Sequence, residues 1–216
     1  MSKIQLLIKV CGFAFLAVVP LYIIDLAAHG SDYEVGRMLT SQWKLAHQAE
    51  GAFYLLLTLA VVGLYLCQAE KVGTLGLIGF VLALMGCAFV VNLGGLYHAY
   101  LLPYMQSQYP TVLSPAQWYS ADGPLGAEVS YVSESFIAAI VGLFLTGITT
   151  ARAGVLPRWA GILLAFGQAT SLINFFAPQS LLNILFPLAA IGFIAIAISY
   201  GWLGFALTTG KGMKSA

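Results

Sequence analysis

The side chains best suited to metal or acid–base chemistry in this sequence are three histidines and a few carboxylates, and several come in pairs. Asp25 and His29 are four residues apart, His47 and Glu50 three apart, and Tyr131 and Glu134 three apart. On a helix each spacing puts both members on one face. Imidazole and carboxylate delivered from facing helices is how helical bundles build metal sites. His47, Glu50, His98 and Glu134 would suffice for one transition-metal ion. The Glu-x-x-His repeat of di-iron bundles is absent; a single His-x-x-Glu, His47 to Glu50, runs in the reverse order. A second chemistry is a b-type haem with His47 and His98 as axial ligands. A third is an organic ligand or quinone held in a pocket beneath an aromatic loop. The plain alternative is that these groups form local pairs at a water interface and cap helix ends, where polar residues cost little.

Six apolar runs must position these groups. They lie at about 6–28, 45–68, 73–101, 128–151, 156–176 and 181–208, each near the ~20 residues that cross a bilayer. The sequence is 60% hydrophobic and 8% charged, with a mean hydropathy of +0.90, whereas a soluble domain carries roughly 25% charged residues. The expected fold is all-α: a six-helix transmembrane bundle forming a single domain over 1–216, with a long outer loop between helices three and four. Net charge of +1 gives no reason to expect a nucleic-acid partner. Cys11, Cys67 and Cys87 lack metal-ligand spacing. Lys3 and Lys9 followed by an apolar stretch imitate a signal peptide, but no small-x-small cleavage site follows, so the segment reads as a retained first helix.

The charges are sorted. Lys3, Lys9, Lys71, Arg152, Arg158, Lys211 and Lys214 fall on one side of the six runs. Asp25, Asp32, Glu34, Glu50, Asp122, Glu128 and Glu134 fall on the other, with all three histidines. Basic residues stay cytoplasmic in multi-pass proteins, so both termini are expected in the cytoplasm and the His/Glu layer at the outer face. Counting ~20 residues from the basic end of each run reaches Glu50, the neighbourhood of Glu134, Asn92 below His98, and His29. Different helices thus bring ionisable groups to nearly one level.

The basic-side turns, 68–72 and 151–157, are short, which makes antiparallel neighbours of helices two and three and of four and five. The loop 102–127 carries Tyr104, Tyr109, Trp118 and Tyr119 among four prolines. It is expected on the membrane surface, as an interfacial anchor or a short helix over the bundle mouth. A weak repeat relates the two hairpins: Lys71-x-Gly73-x-Leu75 matches Arg152-x-Gly154-x-Leu156, and upstream Glu50 matches Glu134. Both glutamates are expected to face the bundle.

No ionisable residue lies between the outer layer and the basic rim, which disfavours a pump or proton-coupled transporter. No Gly-x-Ser-x-Gly, His-Glu-x-x-His, Cys-x-x-Cys or phosphate-cradling loop occurs. Asn92, Gln168, Thr170 and Asn174 are the deepest polar side chains and are expected to make interhelical hydrogen bonds. Gly142, Gly147, Gly161 and Gly167 suit close helix packing.

The stretch Arg152-Ala-Gly-Val-Leu-Pro-Arg-Trp-Ala-Gly161 and the closing Gly201-Trp-Leu-Gly204 resemble a broad set of uncharacterised bacterial multi-pass inner-membrane proteins with an Arg-x-Gly-x-Leu-Pro-x-Trp turn. The resemblance covers about the last quarter of the chain. It implies bacterial origin and an inner-membrane location, and it carries over no catalytic residue. The leading expectation is a non-enzymatic accessory or scaffold subunit of a larger membrane complex, in respiratory or photosynthetic electron transfer, with the lipid bilayer and other membrane subunits as partners. The alternatives are an outer-face haem- or metal-binding redox protein and a substrate-capture component of a transporter.

Overall fold

A computed structural model describes residues 2–29, 37–108 and 126–210. The helices are α1 (Lys3–His29), α2 (Ser41–Leu66), α3 (Ala69–Val90), a short α4 (Leu102–Gln108), α5 (Gly126–Ala153), α6 (Arg158–Phe176) and α7 (Gln179–Thr209). All but α4 are long and apolar enough to cross a membrane, six spans among the described residues, and the chain is a multi-pass membrane protein. Large apolar side chains such as Phe13, Leu55, Leu77 and Ile194 remain exposed on the outer surfaces, where lipid receives them.

The sequence placed these spans closely, and the differences have local causes. Helix α2 begins a turn earlier than the hydrophobic pattern indicates, because the Thr40 hydroxyl accepts a hydrogen bond from the Trp43 N–H and caps it. The expected single helix over 73–101 is instead α3 followed by a π-helical stretch, Val91–Leu101. Gly73 and Gly154, the matched glycines of the two turns, both adopt positive φ, 60° and 68°. Gly73 breaks α3 one turn after its start and Gly154 lies between α5 and α6, each in a conformation glycine alone adopts without penalty. The expected aromatic cover at Tyr109, Trp118 and Tyr119 lies outside the described residues, as do Lys211 and Lys214.

The spans pack as a closed ring in chain order: α1, α2, α3, α5, α6, α7 and back to α1. Small residues bring the backbones together. A Cβ on Gly142 would sit 2.1 Å from the Ala83 nitrogen, and one on Gly161 would sit 2.6 Å from the Ala151 nitrogen. Such seams replace the hydrophobic drive that lipid cannot supply. The start of α1, the end of α7 and both short turns share one end of the ring, as contacts from Gly12 to Thr208, Gly63 to Cys11 and Gln68 to Thr150 require. At this basic end the centre is filled by fully buried Phe15, Leu64, Leu164, Leu203 and Leu207. Towards the acidic end it is not filled.

Candidate functional site

A cavity of about 580 Å³ occupies the acidic half of the ring, walled by α1, α2, α5, α6, α7 and the π-helical stretch that continues α3. Tyr22, Phe53, Phe193 and Tyr200 form an aromatic cluster across its lower part, with the Tyr22 and Phe53 rings stacked at 5.3 Å. Above them α6 presents Gln168, Ser171 and Asn174, three residues apart along one face. The opposite wall, from α1, α2 and the π-helical stretch, carries Asp25, His29, His47, Glu50 and His98.

Three of those five converge. His47, Glu50 and His98 each offer a ligand atom, and the three atoms lie within 4.8 Å of one another. His47 and Glu50 are buried, 1% and 4% exposed, and reach one point because they lie one turn apart on α2. His98 arrives from the π-helical stretch. Stretches of this kind are rare and concentrate at functional sites. What lets the two elements approach is a backbone contact: a Cβ on Gly51 would lie 2.5 Å from the Gly95 Cα, and one on Gly95 would lie 2.8 Å from the Gly51 Cα. Only hydrogen at both positions permits this spacing.

Trp43 fixes both histidines. Its indole N–H donates to the His98 carbonyl at 2.7 Å, and its ring packs on the His47 imidazole at 4.1 Å. The Trp43 carbonyl lies 2.9 Å from His47 Nδ1. That contact holds the proton on Nδ1 and turns the Nε2 lone pair towards the cavity, the usual arrangement behind a ligating histidine. Sequence reasoning missed Trp43, although it stands four residues before His47 and therefore on its face. Met38, Trp43 and Leu102 form a small second core that seats α4 at this end.

Asp25 and His29 pair as their spacing indicates, with His29 Nδ1 3.3 Å from Asp25 Oδ1. The His29 ring lies 4.9 Å from that of His47, directly beside the cluster. Arg37 donates to the Ala28 and His29 carbonyls and so satisfies the C-terminus of α1.

Glu134 does not join the group. It is exposed, because the cavity-facing positions of α5 are Ser133, Phe136, Ile140 and Leu143, and Glu134 is turned about 100° from that face. The two glutamates of the repeat therefore differ in environment. The deep polar residues also divide. Gln168 and Asn174 line the cavity, Thr170 donates to the Gly167 carbonyl of its own helix, and Asn92 is exposed and reaches only its own helix at Ala88.

The arrangement suits a metal ion and not a haem. Metal–nitrogen bonds of about 2.0–2.1 Å put tetrahedral ligands ~3.4 Å apart. Ligand atoms within 4.8 Å of one another need only side-chain rotation to close on an ion. A bis-histidine haem needs a macrocycle between two rings. Here the His47 and His98 rings meet edge to face at 5.0 Å and 88°, with no room for one. No family model matches the chain, and neither a curated protein nor a solved structure is significantly similar to it.

Proposed function

We propose that this chain is a membrane metalloprotein in which His47, Glu50 and His98 hold one divalent transition ion and present it to a ligand in the cavity. The observation that carries this reading is the convergence of three donor atoms, two of them on buried side chains, at the wall of an internal cavity. Two imidazoles and one carboxylate bind zinc in hydrolytic sites and ferrous iron in oxygen-using sites. In both, three protein ligands leave a coordination position open, whereas structural zinc sites fill all four. The open position would face the cavity, so the ion would polarise an oxygen donor of a bound molecule.

An accessory or scaffold role calls for no such cavity, and a substrate-capture role calls for no metal-ligating cluster. The two features together favour the metal reading over both. The sorting of basic residues supports an outward-facing site with cytoplasmic termini, and the Arg152–Gly161 resemblance supports a bacterial plasma membrane. Elemental analysis of purified protein tests the proposal. Wild type is expected to carry about one equivalent of a first-row metal, and His47→Ala and His98→Ala to lose it, because each removes one of only three ligands. Metal content unchanged by both substitutions refutes it.

A further inference from the structure

His29 has the surroundings of a metal ligand, yet it stands outside the three that converge. Its ring lies 4.9 Å from that of His47, as close as the His98 ring, which stands at 5.0 Å. It lines the same cavity wall. Its Nδ1 lies 3.3 Å from Asp25 Oδ1, one turn back on α1. A histidine that coordinates a metal through one ring nitrogen almost always donates the other N–H to a carboxylate or a carbonyl, which fixes the tautomer and raises the basicity of the ligating nitrogen. His47 has this support from the Trp43 carbonyl. His29 has it from Asp25, and a carboxylate is the stronger acceptor. With the proton on Nδ1, Nε2 is the donor atom of His29. The backbone at this point is anchored as well. Arg37 donates to the His29 carbonyl at 2.8 and 3.2 Å and to the Ala28 carbonyl at 3.2 Å. The guanidinium holds the last turn of α1 in place, while the His29 side chain keeps room to turn: it is 33% exposed, where His47 is 1% exposed.

We infer that His29 is a displaceable fourth ligand, whose Nε2 closes the open coordination position of the ion until a ligand enters the cavity and takes its place. This rests on the metal reading above. The three converging ligand atoms lie within 4.8 Å of one another without His29, so His29 reaches the ion by turning its side chain about a backbone that Arg37 holds. An ion pair that served only to end α1 calls for neither the ring contact with His47 nor a place on the cavity wall. The exchange breaks one metal–nitrogen bond and forms one metal–oxygen bond. The Nδ1 proton stays between His29 and Asp25, and no electron is transferred. The exchange also defines the ligand by class. Glu50 is the one carboxylate among the three fixed ligands, so a divalent ion there keeps a net positive charge. An anionic oxygen donor gains from that charge and a neutral hydroxyl or carbonyl does not. The ligand that displaces His29 is therefore a carboxylate or another oxygen anion.

The test uses the full chain, loaded with cobalt(II) in detergent micelles, with acetate as the oxygen-anion probe. Proton NMR of a cobalt protein shows one strongly shifted, exchangeable N–H signal for each coordinated imidazole. The wild type is expected to show three such signals and His29→Ala two, with cobalt content unchanged. His29→Gln, which keeps a polar side chain at the end of α1, is expected to show two as well. Acetate is expected to remove the third signal from the wild type. It is expected to bind His29→Ala about tenfold more tightly, the gain where a competing group holds the position about nine-tenths of the time. Two signals in the wild type, unchanged in both variants, overturn the inference and leave the three-ligand site standing. A third signal that persists in saturating acetate, or loss of cobalt from both variants, overturns the displaceable role. A wild type that binds no cobalt overturns the metal reading itself, and this inference with it.

Discussion

Gly51→Ala places one methyl group at the contact that sets the geometry of the site. The added Cβ would lie 2.5 Å from the Gly95 Cα, where carbon atoms settle at about 3.5–4.0 Å. Helix α2 and the π-helical stretch must therefore part by at least ~1 Å. The added Cβ is fixed by its own backbone and the Gly95 Cα is itself backbone, so no side-chain rotation relieves the overlap. Glu50 adjoins Gly51, His47 lies one turn before it, and His98 lies three residues beyond Gly95, so the separation passes directly into the cluster. Ligand atoms now within 4.8 Å of one another would have to close from nearly 6 Å to the ~3.4 Å that metal bonds of 2.0–2.1 Å demand. Metal affinity is expected to fall at least tenfold, the lower end of what disturbed ligand positioning costs. The overpacking itself destabilises by about 1–3 kcal/mol. The assay is a chelator-competition titration with cobalt or zinc, beside a thermal melt followed by helical circular dichroism. Gly201→Ala is the control, since its Cβ would meet only Val19 Cγ2 at 4.0 Å, and it should leave affinity unchanged. A folded Gly51→Ala protein with wild-type affinity would refute the reasoning that this contact positions the ligands.

Three further outcomes follow from the same geometry. Trp43→Phe keeps the ring against His47 but deletes the donor to the His98 carbonyl; it should cost about 1 kcal/mol of stability and weaken metal binding roughly tenfold, read by melting and the same titration. Glu50→Gln should lower metal content whereas Glu134→Gln should not, because Glu50 is in the cluster and Glu134 is exposed; equal losses in elemental analysis would contradict this. A cysteine introduced by Ser107→Cys should react with an impermeant thiol reagent in intact cells and one introduced by Ser215→Cys should not, since basic residues keep their end of the bundle cytoplasmic; the reverse labelling would invert the orientation.

The secondary structure was legible because bilayer-spanning helices need long unbroken apolar runs, and this chain contains six. The even number of spans and the short turns at Gly73 and Gly154 determined the up-and-down order and put both termini at one end. The charge sorting determined that ionisable groups gather at the opposite end. The helical periods i,i+3 and i,i+4 correctly paired His47 with Glu50 and Asp25 with His29, because those pairings are local.

What remained hidden depended on rotation and approach between helices. Glu50 and Glu134 occupy matching places in the repeat, yet one is buried and the other exposed, because the face each presents is set by how its helix is turned in the ring. The approach of His98 to His47 rests on a π-helical stretch and on the touching of Gly51 and Gly95. Nothing in the sequence distinguishes that contact from the many glycines that only close helix seams. The cavity exists because the core is filled at the basic end and left unfilled at the other. That is a property of six helices packed together and of no single segment.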